Sequence, residues 1–145
     1  MARLETYRGD TWAIVGKAFE KEKLYRGMHG VFHPTMYIKK TVYEKHGYYD
    51  TNIRIAMDYD MLCRIAGEKN TFIDYPLAIF DPTGVSTTNY VKGTEECFAS
   101  YRKYYGSSIK HLLWKKRLLF LNYLLNTTFG KALYKIKVTL QLQRR

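Results

Sequence analysis

The sequence contains no aspartate or glutamate after Glu96. From Cys97 to Arg145 it carries 11 Lys and Arg against no acid, whereas residues 1 to 96 carry 13 of each sign and are neutral. The net charge of +11 therefore belongs to the final third of the chain, a cationic segment suited to an anionic surface of lipid, nucleic acid or acidic protein. Cysteine is scarce too. Cys63 and Cys97 are too few and too unpatterned for a disulfide framework or a zinc site, so reduced thiols in a cytoplasmic protein are expected, with Cys63 in the core. The longest mostly apolar run, Leu118 to Leu125, falls far short of the ~20 residues that span a bilayer, and the start of the chain has no apolar signal region. These absences argue against an integral membrane protein. With 3 prolines and 14 tyrosines in 145 residues, the composition is that of a globular chain long enough to bury a core.

Residues 1 to 26 carry weak signals: a turn at Gly9-Asp10, and a charged run from Lys17 to Lys23 compatible with a short helix or a loop. Gly27 to Gly30 reads as a hinge. Val31 to Ile38 has the β-branched and aromatic content of a strand, and Pro34 places that strand at an edge or at its own start. Lys39 to Lys45 reads as a short helix stopped at His46-Gly47. Tyr48 to Ile55 is extended or looped. Ala56 to Glu68 has helical spacing, with Met57, Met61 and Ile65 four apart and Leu62 beside them. Thr71 to Phe80 reads as a strand followed by a turn at Asp81 to Gly84, and Thr87 or Thr88 is placed to cap a helix running to Tyr105. Gly106-Ser107-Ser108 breaks it. Beyond Ile109 two helical segments are expected, split near Asn126 to Gly130, the second amphipathic with Phe129, Leu133, Ile136 and Leu140 opposite Lys131 and Lys135.

Asp58 and Asp60 are one residue apart at the start of the helix expected over 56 to 68. Acids in a first turn are favoured by the helix dipole and by unpaired backbone donors, by about 0.3 to 1 kcal/mol. Paired carboxylates in a cleft also serve as a general base or hold a divalent cation. Both readings stand on these residues alone. His29 and His33 have the i, i+4 spacing of metal ligands on a helix, but Gly30 and Pro34 argue against a helix there, and no metal ligand is assigned in this chain.

The order of short motifs narrows the choice. His33-Pro34-Thr35-Met36-Tyr37-Ile38-Lys39-Lys40, Tyr43-Glu44-Lys45-His46-Gly47-Tyr48-Tyr49-Asp50 and Ile55-Ala56-Met57-Asp58-Tyr59-Asp60-Met61-Leu62-Cys63-Arg64 together resemble the C-terminal half of a family 2 glycosyltransferase of the GT-A type. The resemblance continues through Tyr75-Pro76-Leu77-Ala78 and Gly84-Val85-Ser86 and covers roughly residues 27 to 90. It implies an α/β fold: the C-terminal, acceptor-side portion of a Rossmann-related GT-A-like domain over residues 1 to 106, with a basic helical tail over 107 to 145. Asp58 matches the second position of the family's acidic doublet, the base that deprotonates the acceptor hydroxyl. Met57 stands at the first position, where the family has an acid, and Asp60 is the alternative catalytic carboxylate. Gly30 and His33 match a loop and a histidine lining the sugar and acceptor side. Arg64 is read as an ion-pairing residue, with a phosphate contact as its substrate-binding alternative.

The resemblance further implies an inverting transfer from a nucleotide-sugar donor to a hydroxyl acceptor in polysaccharide or glycoconjugate synthesis. Mg²⁺ or Mn²⁺ is expected in the complete enzyme, held by a donor-side half or subunit, because the family's nucleotide-binding half is not evident ahead of residue 27. The basic tail would either place such an enzyme peripherally at the inner membrane face, on an anionic surface, or pack on the domain as a helical pair with solvated lysines. A competing reading takes the clustered lysines and tyrosines as a non-catalytic module that binds nucleic acid or membrane.

Overall fold

The computed structural model describes residues 2–8, 11–28, 30–80, 89–128, 130 and 132. Two units are distinguished, residues 1–107 and 108–145. The first is a mixed α/β unit. Strands β1 (Ala2–Arg8), β2 (Thr11–Val15) and β3 (Ile73–Phe80) form a three-stranded sheet in the order β2-β1-β3. β1 and β2 are antiparallel, in a register that pairs Leu4 with Val15 and Arg8 with Thr11, while β1 and β3 run parallel. Pro76 has no N–H for a ladder, and β3 accommodates it at the edge of the sheet, where the register with β1 shifts on either side of Arg3. The first fifteen residues, weakly patterned as sequence, thus supply two of the three strands.

Val31 to Ile38 does not form the expected strand. His33–Thr35 is a single 3-10 turn with Pro34 in its first positions. The Thr35 amide and hydroxyl both donate to the Phe32 carbonyl, and the Met36 amide donates to His33 O, so these donors are used locally instead of in a sheet. A second 3-10 helix spans Lys21–Arg26.

Helix α1 (Lys40–His46) ends at Gly47, whose φ of 79° lets its amide reach back to Tyr43 O at 2.7 Å. Helix α2 (Met57–Arg64) is the centre of the core, with Tyr59 to Cys63 all buried. Of the expected apolar face, Met61 and Leu62 are inside, while Met57 and Ile65 are half-buried. Tyr59, Leu62 and Cys63 pack with Leu24, Val31 and Ala66, and Tyr59 donates its hydroxyl to the Leu24 carbonyl. Helix α3 (Tyr90–Tyr105) lies against α2. Gly93, a costly residue inside a helix at about 1 kcal/mol relative to alanine, has a packing reason: a Cβ there would sit 3.0 Å from Ile55 Cγ2.

In the second unit, helix α4 (Ile109–Asn126) begins at Ser108, whose hydroxyl accepts from the His111 amide at 3.1 Å. It ends at Thr127, whose hydroxyl donates to Leu124 O. Among the described residues, no helix is long and apolar enough to cross a membrane. The turns expected at Gly9-Asp10 and Asp81 to Gly84, the Thr87 or Thr88 cap and the residues that define the amphipathic segment, Phe129, Lys131, Leu133, Lys135, Ile136 and Leu140, lie outside the described residues, as does His29.

Candidate functional site

Asp58 and Asp60 leave α2 about 200° apart, because each helical residue advances about 100°. One carboxylate therefore faces inward and the other does not. Asp60 is fully buried: its Oδ2 accepts from Arg64 Nε at 3.1 Å and from the Tyr104 hydroxyl at 3.3 Å. The Arg64 guanidinium reaches further, donating to His46 O and Tyr48 O at 2.8 Å each. Arg64 thus ties three segments together: α2, the end of α1 and the loop that follows it. A Cβ at Gly47 would lie 3.4 Å from a guanidinium nitrogen, an ordinary contact, so the position calls for glycine by its φ of 79° and not for space.

Asp58 is half-buried, and its Oδ1 accepts from the Tyr59 amide at 2.7 Å. Burial pushes its carboxyl above the usual aspartate range, and the Tyr59 hydrogen bond and the charge of His33 pull partly the other way. Tyr49 feels the Asp58 charge as well, and its phenol is raised, mainly by burial and then by its contact with Tyr43, so it remains a neutral hydrogen-bonding group. The His33 ring stands edge-on to Tyr49, with centroids 6.3 Å apart. Tyr43 stacks on Tyr48 at 5.6 Å, and its hydroxyl lies 3.4 Å from that of Tyr49. Asp58 thereby shares one neighbourhood with His33 and Tyr49, at the border of an aromatic platform whose outer member, Tyr48, is 68% exposed.

The other residues named from sequence are placed differently. Gly30 adopts φ 80° and its carbonyl accepts from the Lys17 amide at 2.8 Å, with the Lys17 side chain so close that a Cβ at Gly30 would meet it at 3.0 Å. The contacts that fix Gly30 are therefore with Lys17. Asp50 is a turn residue, its Oδ1 accepting from both the Asn52 amide and the Asn52 side chain. The thiols of Cys63 and Cys97 are each pushed up to about 12 by burial, which leaves them protonated and unreactive.

One residue escaped the sequence reading. Glu96, on α3, accepts from the Ile55 and Ala56 amides at 2.8 and 2.9 Å through a single oxygen. Ala56 has no side chain with which to cap α2, and a carboxylate 40 residues away does so instead. The only sequence signal for it is that Glu96 is the last acid before a wholly basic segment. Glu96→Ala is expected to cost about 1.5–3 kcal/mol, the range for hydrogen bonds to a charged group, and Glu96→Gln less because an acceptor remains. Chemical denaturation of the two variants checks the order, and equal stability of Glu96→Ala and the parent chain would remove the cap.

The Asp58-Tyr59-Asp60 carboxylates do not fit a divalent cation. They point to opposite sides of α2, and the inner one is already engaged by Arg64 and Tyr104. Among the described residues, no group of three or more His, Cys, Asp or Glu side chains is arranged to hold a metal ion. Compared with known protein families, curated proteins and solved structures, the chain matches none of them.

Proposed function

We propose that residues 1–107 form the acceptor-side part of an inverting, nucleotide-sugar-dependent glycosyltransferase of GT-A type, with Asp58 as the base. The observation that carries this reading is the setting of Asp58: a half-buried carboxylate, raised by burial, that interacts electrostatically with His33 and with the half-buried Tyr49, whose ring packs against Tyr43. A raised carboxylate is a stronger base than a free aspartate. An acceptor sugar laid on Tyr48 would pack its C–H face on the ring and bring one hydroxyl to Asp58. The hydroxyl proton passes to the Asp58 carboxylate, the oxygen bonds to the anomeric carbon of the donor, and the nucleoside diphosphate leaves with the electrons of the broken bond.

Asp60 and Arg64 have a different part in this reading. Their ion pair holds the Tyr48–Tyr49 loop in place and makes neither a base nor a phosphate ligand. Donor binding falls to a further portion of protein. The outer face of β3 fits such a neighbour, since a strand in parallel pairing is normally covered on both sides, yet Tyr75 is 65% and Ile79 72% exposed.

Titration with neutral mono- and oligosaccharides, followed by two-dimensional NMR, tests the proposal. Shifts at Tyr48, Tyr49 and Asp58 that weaken at least ten-fold in Tyr48→Ala are expected, together with no retention of a nucleoside diphosphate and Mn²⁺ by this chain alone. Tight nucleotide binding by the isolated chain would contradict the division of labour. Sugar shifts that ignore Tyr48→Ala would remove the platform.

A further inference from the structure

Helix α4 presents to solvent an apolar stripe that a single lysine, Lys116, interrupts. Ile109, Leu112, Leu113, Phe120 and Tyr123 follow the spacing i, i+3, i+4, i+11, i+14 and fall within an arc of about 100°. Their exposure runs from 53% at Leu112 to 78% at Ile109. This is not the helix that the sequence pattern singles out, which lies further on, at Phe129 to Leu140. The opposite side of α4 carries the buried His111 and the half-buried Trp114 and Leu118, so the exposed stripe is a second apolar face.

Charge indicates what would cover it. Lys116 lies within the stripe, Lys110 and Arg117 lie along one flank, and all three are exposed. No acidic side chain occurs anywhere from Cys97 to Arg145 to neutralise them. A nucleic acid would satisfy the cations and leave five large apolar side chains in water. A bilayer with anionic headgroups satisfies both, with lysine stems running along the apolar surface and their ammonium groups at phosphate level.

We propose that α4 lies in the headgroup layer of an anionic phospholipid bilayer, with Ile109, Leu112, Leu113, Phe120 and Tyr123 turned into the acyl boundary and Lys110, Lys116 and Arg117 on lipid phosphates. The inference does not rest on sugar transfer, and vesicle binding reads it without any enzymatic assay. α4 lies flat in this arrangement, consistent with its four cationic residues and with its failure to qualify as a span.

Sedimentation of the full chain with phosphatidylglycerol–phosphatidylcholine vesicles, against vesicles of phosphatidylcholine alone, tests it. Binding to the anionic vesicles is expected to be at least ten-fold tighter. Leu113→Gln/Phe120→Gln should lose at least ten-fold on anionic vesicles while retaining its helix content by circular dichroism, since both side chains are more than half exposed. Lys110→Gln/Lys116→Gln/Arg117→Gln should lose the preference for anionic lipid, and it gives an independent readout should the apolar variant misfold. Parent-like binding of the apolar variant to anionic vesicles would overturn the proposal, because adsorption would then be electrostatic alone. Equal binding to both vesicle types, or salt-sensitive oligonucleotide binding with no vesicle binding, overturns it as well.

Discussion

Arg64→Met should lower stability by about 3–5 kcal/mol, the usual cost of removing one partner of a buried ion pair. For a chain of this length, at roughly 2–4 °C per kcal/mol, the thermal midpoint falls by about 10 °C. The reason is local. Asp60 is wholly inaccessible; among the described residues its Oδ1 has no hydrogen-bond partner, and without the guanidinium its Oδ2 keeps only the longer contact to Tyr104. The same substitution releases the carbonyls of His46 and Tyr48, so amide hydrogen exchange should accelerate in the loop around 47 to 49. Asp60→Leu/Arg64→Met together should recover much of the loss, because matched apolar replacement of a buried pair is often near neutral. Lys45→Ala, which removes an exposed partner of Glu68, supplies the contrast and should barely move the midpoint. An Arg64→Met protein as stable as the parent would mean that Asp60 finds another partner and that the three-way tie is not structural.

Asp58→Asn should have opposite effects on activity and stability. If Asp58 is the base, turnover in the assembled enzyme falls about 10²- to 10⁴-fold, the range for general base catalysis, with sugar binding at Tyr48 retained. Stability near neutral pH should rise, seen as a higher thermal midpoint. Burial raises the folded-state pKa of Asp58 above its unfolded value of about 3.9, so the folded protein takes up a proton more readily than the unfolded chain. The carboxylate's cost is therefore present above the folded pKa and disappears as pH falls below the unfolded one. Parent and Asp58→Asn melting curves should differ near neutrality and converge in acid. A constant gap across that range would point to packing instead of charge, and retained turnover would take Asp58 out of the role of base.

Several features were legible from residue order alone. The helix starting near Met57 shows in the four-residue spacing of its methionines, and the stop of α1 at Gly47 shows because only a glycine takes φ 79° there without strain. The break at Gly106 to Ser108 is legible for a similar reason, with α3 ending before it and α4 beginning after it. The strand misread at Val31 to Ile38 has the right side chains, but Thr35 and Met36 spend their donors on a local turn, which β propensity does not register. The early hairpin failed to show because strands of five and seven residues leave little periodicity to read, and their stability comes from pairing, including with β3 more than 60 residues later.

The sequence by itself determined where charge lies, that a helix carries Asp58 and Asp60, and which residues stop and start the neighbouring helices, because these follow from composition and from backbone preferences acting over a few residues. Tertiary structure alone decided what surrounds each carboxylate. The helix turns Asp60 onto Arg64 and Tyr104 inside the core and leaves Asp58 at its border beside His33 and Tyr49, and Glu96 reaches across from α3 to cap the segment that leads to both. Burial and long-range partners set a carboxylate's energy, and neither is a property of its neighbours in sequence.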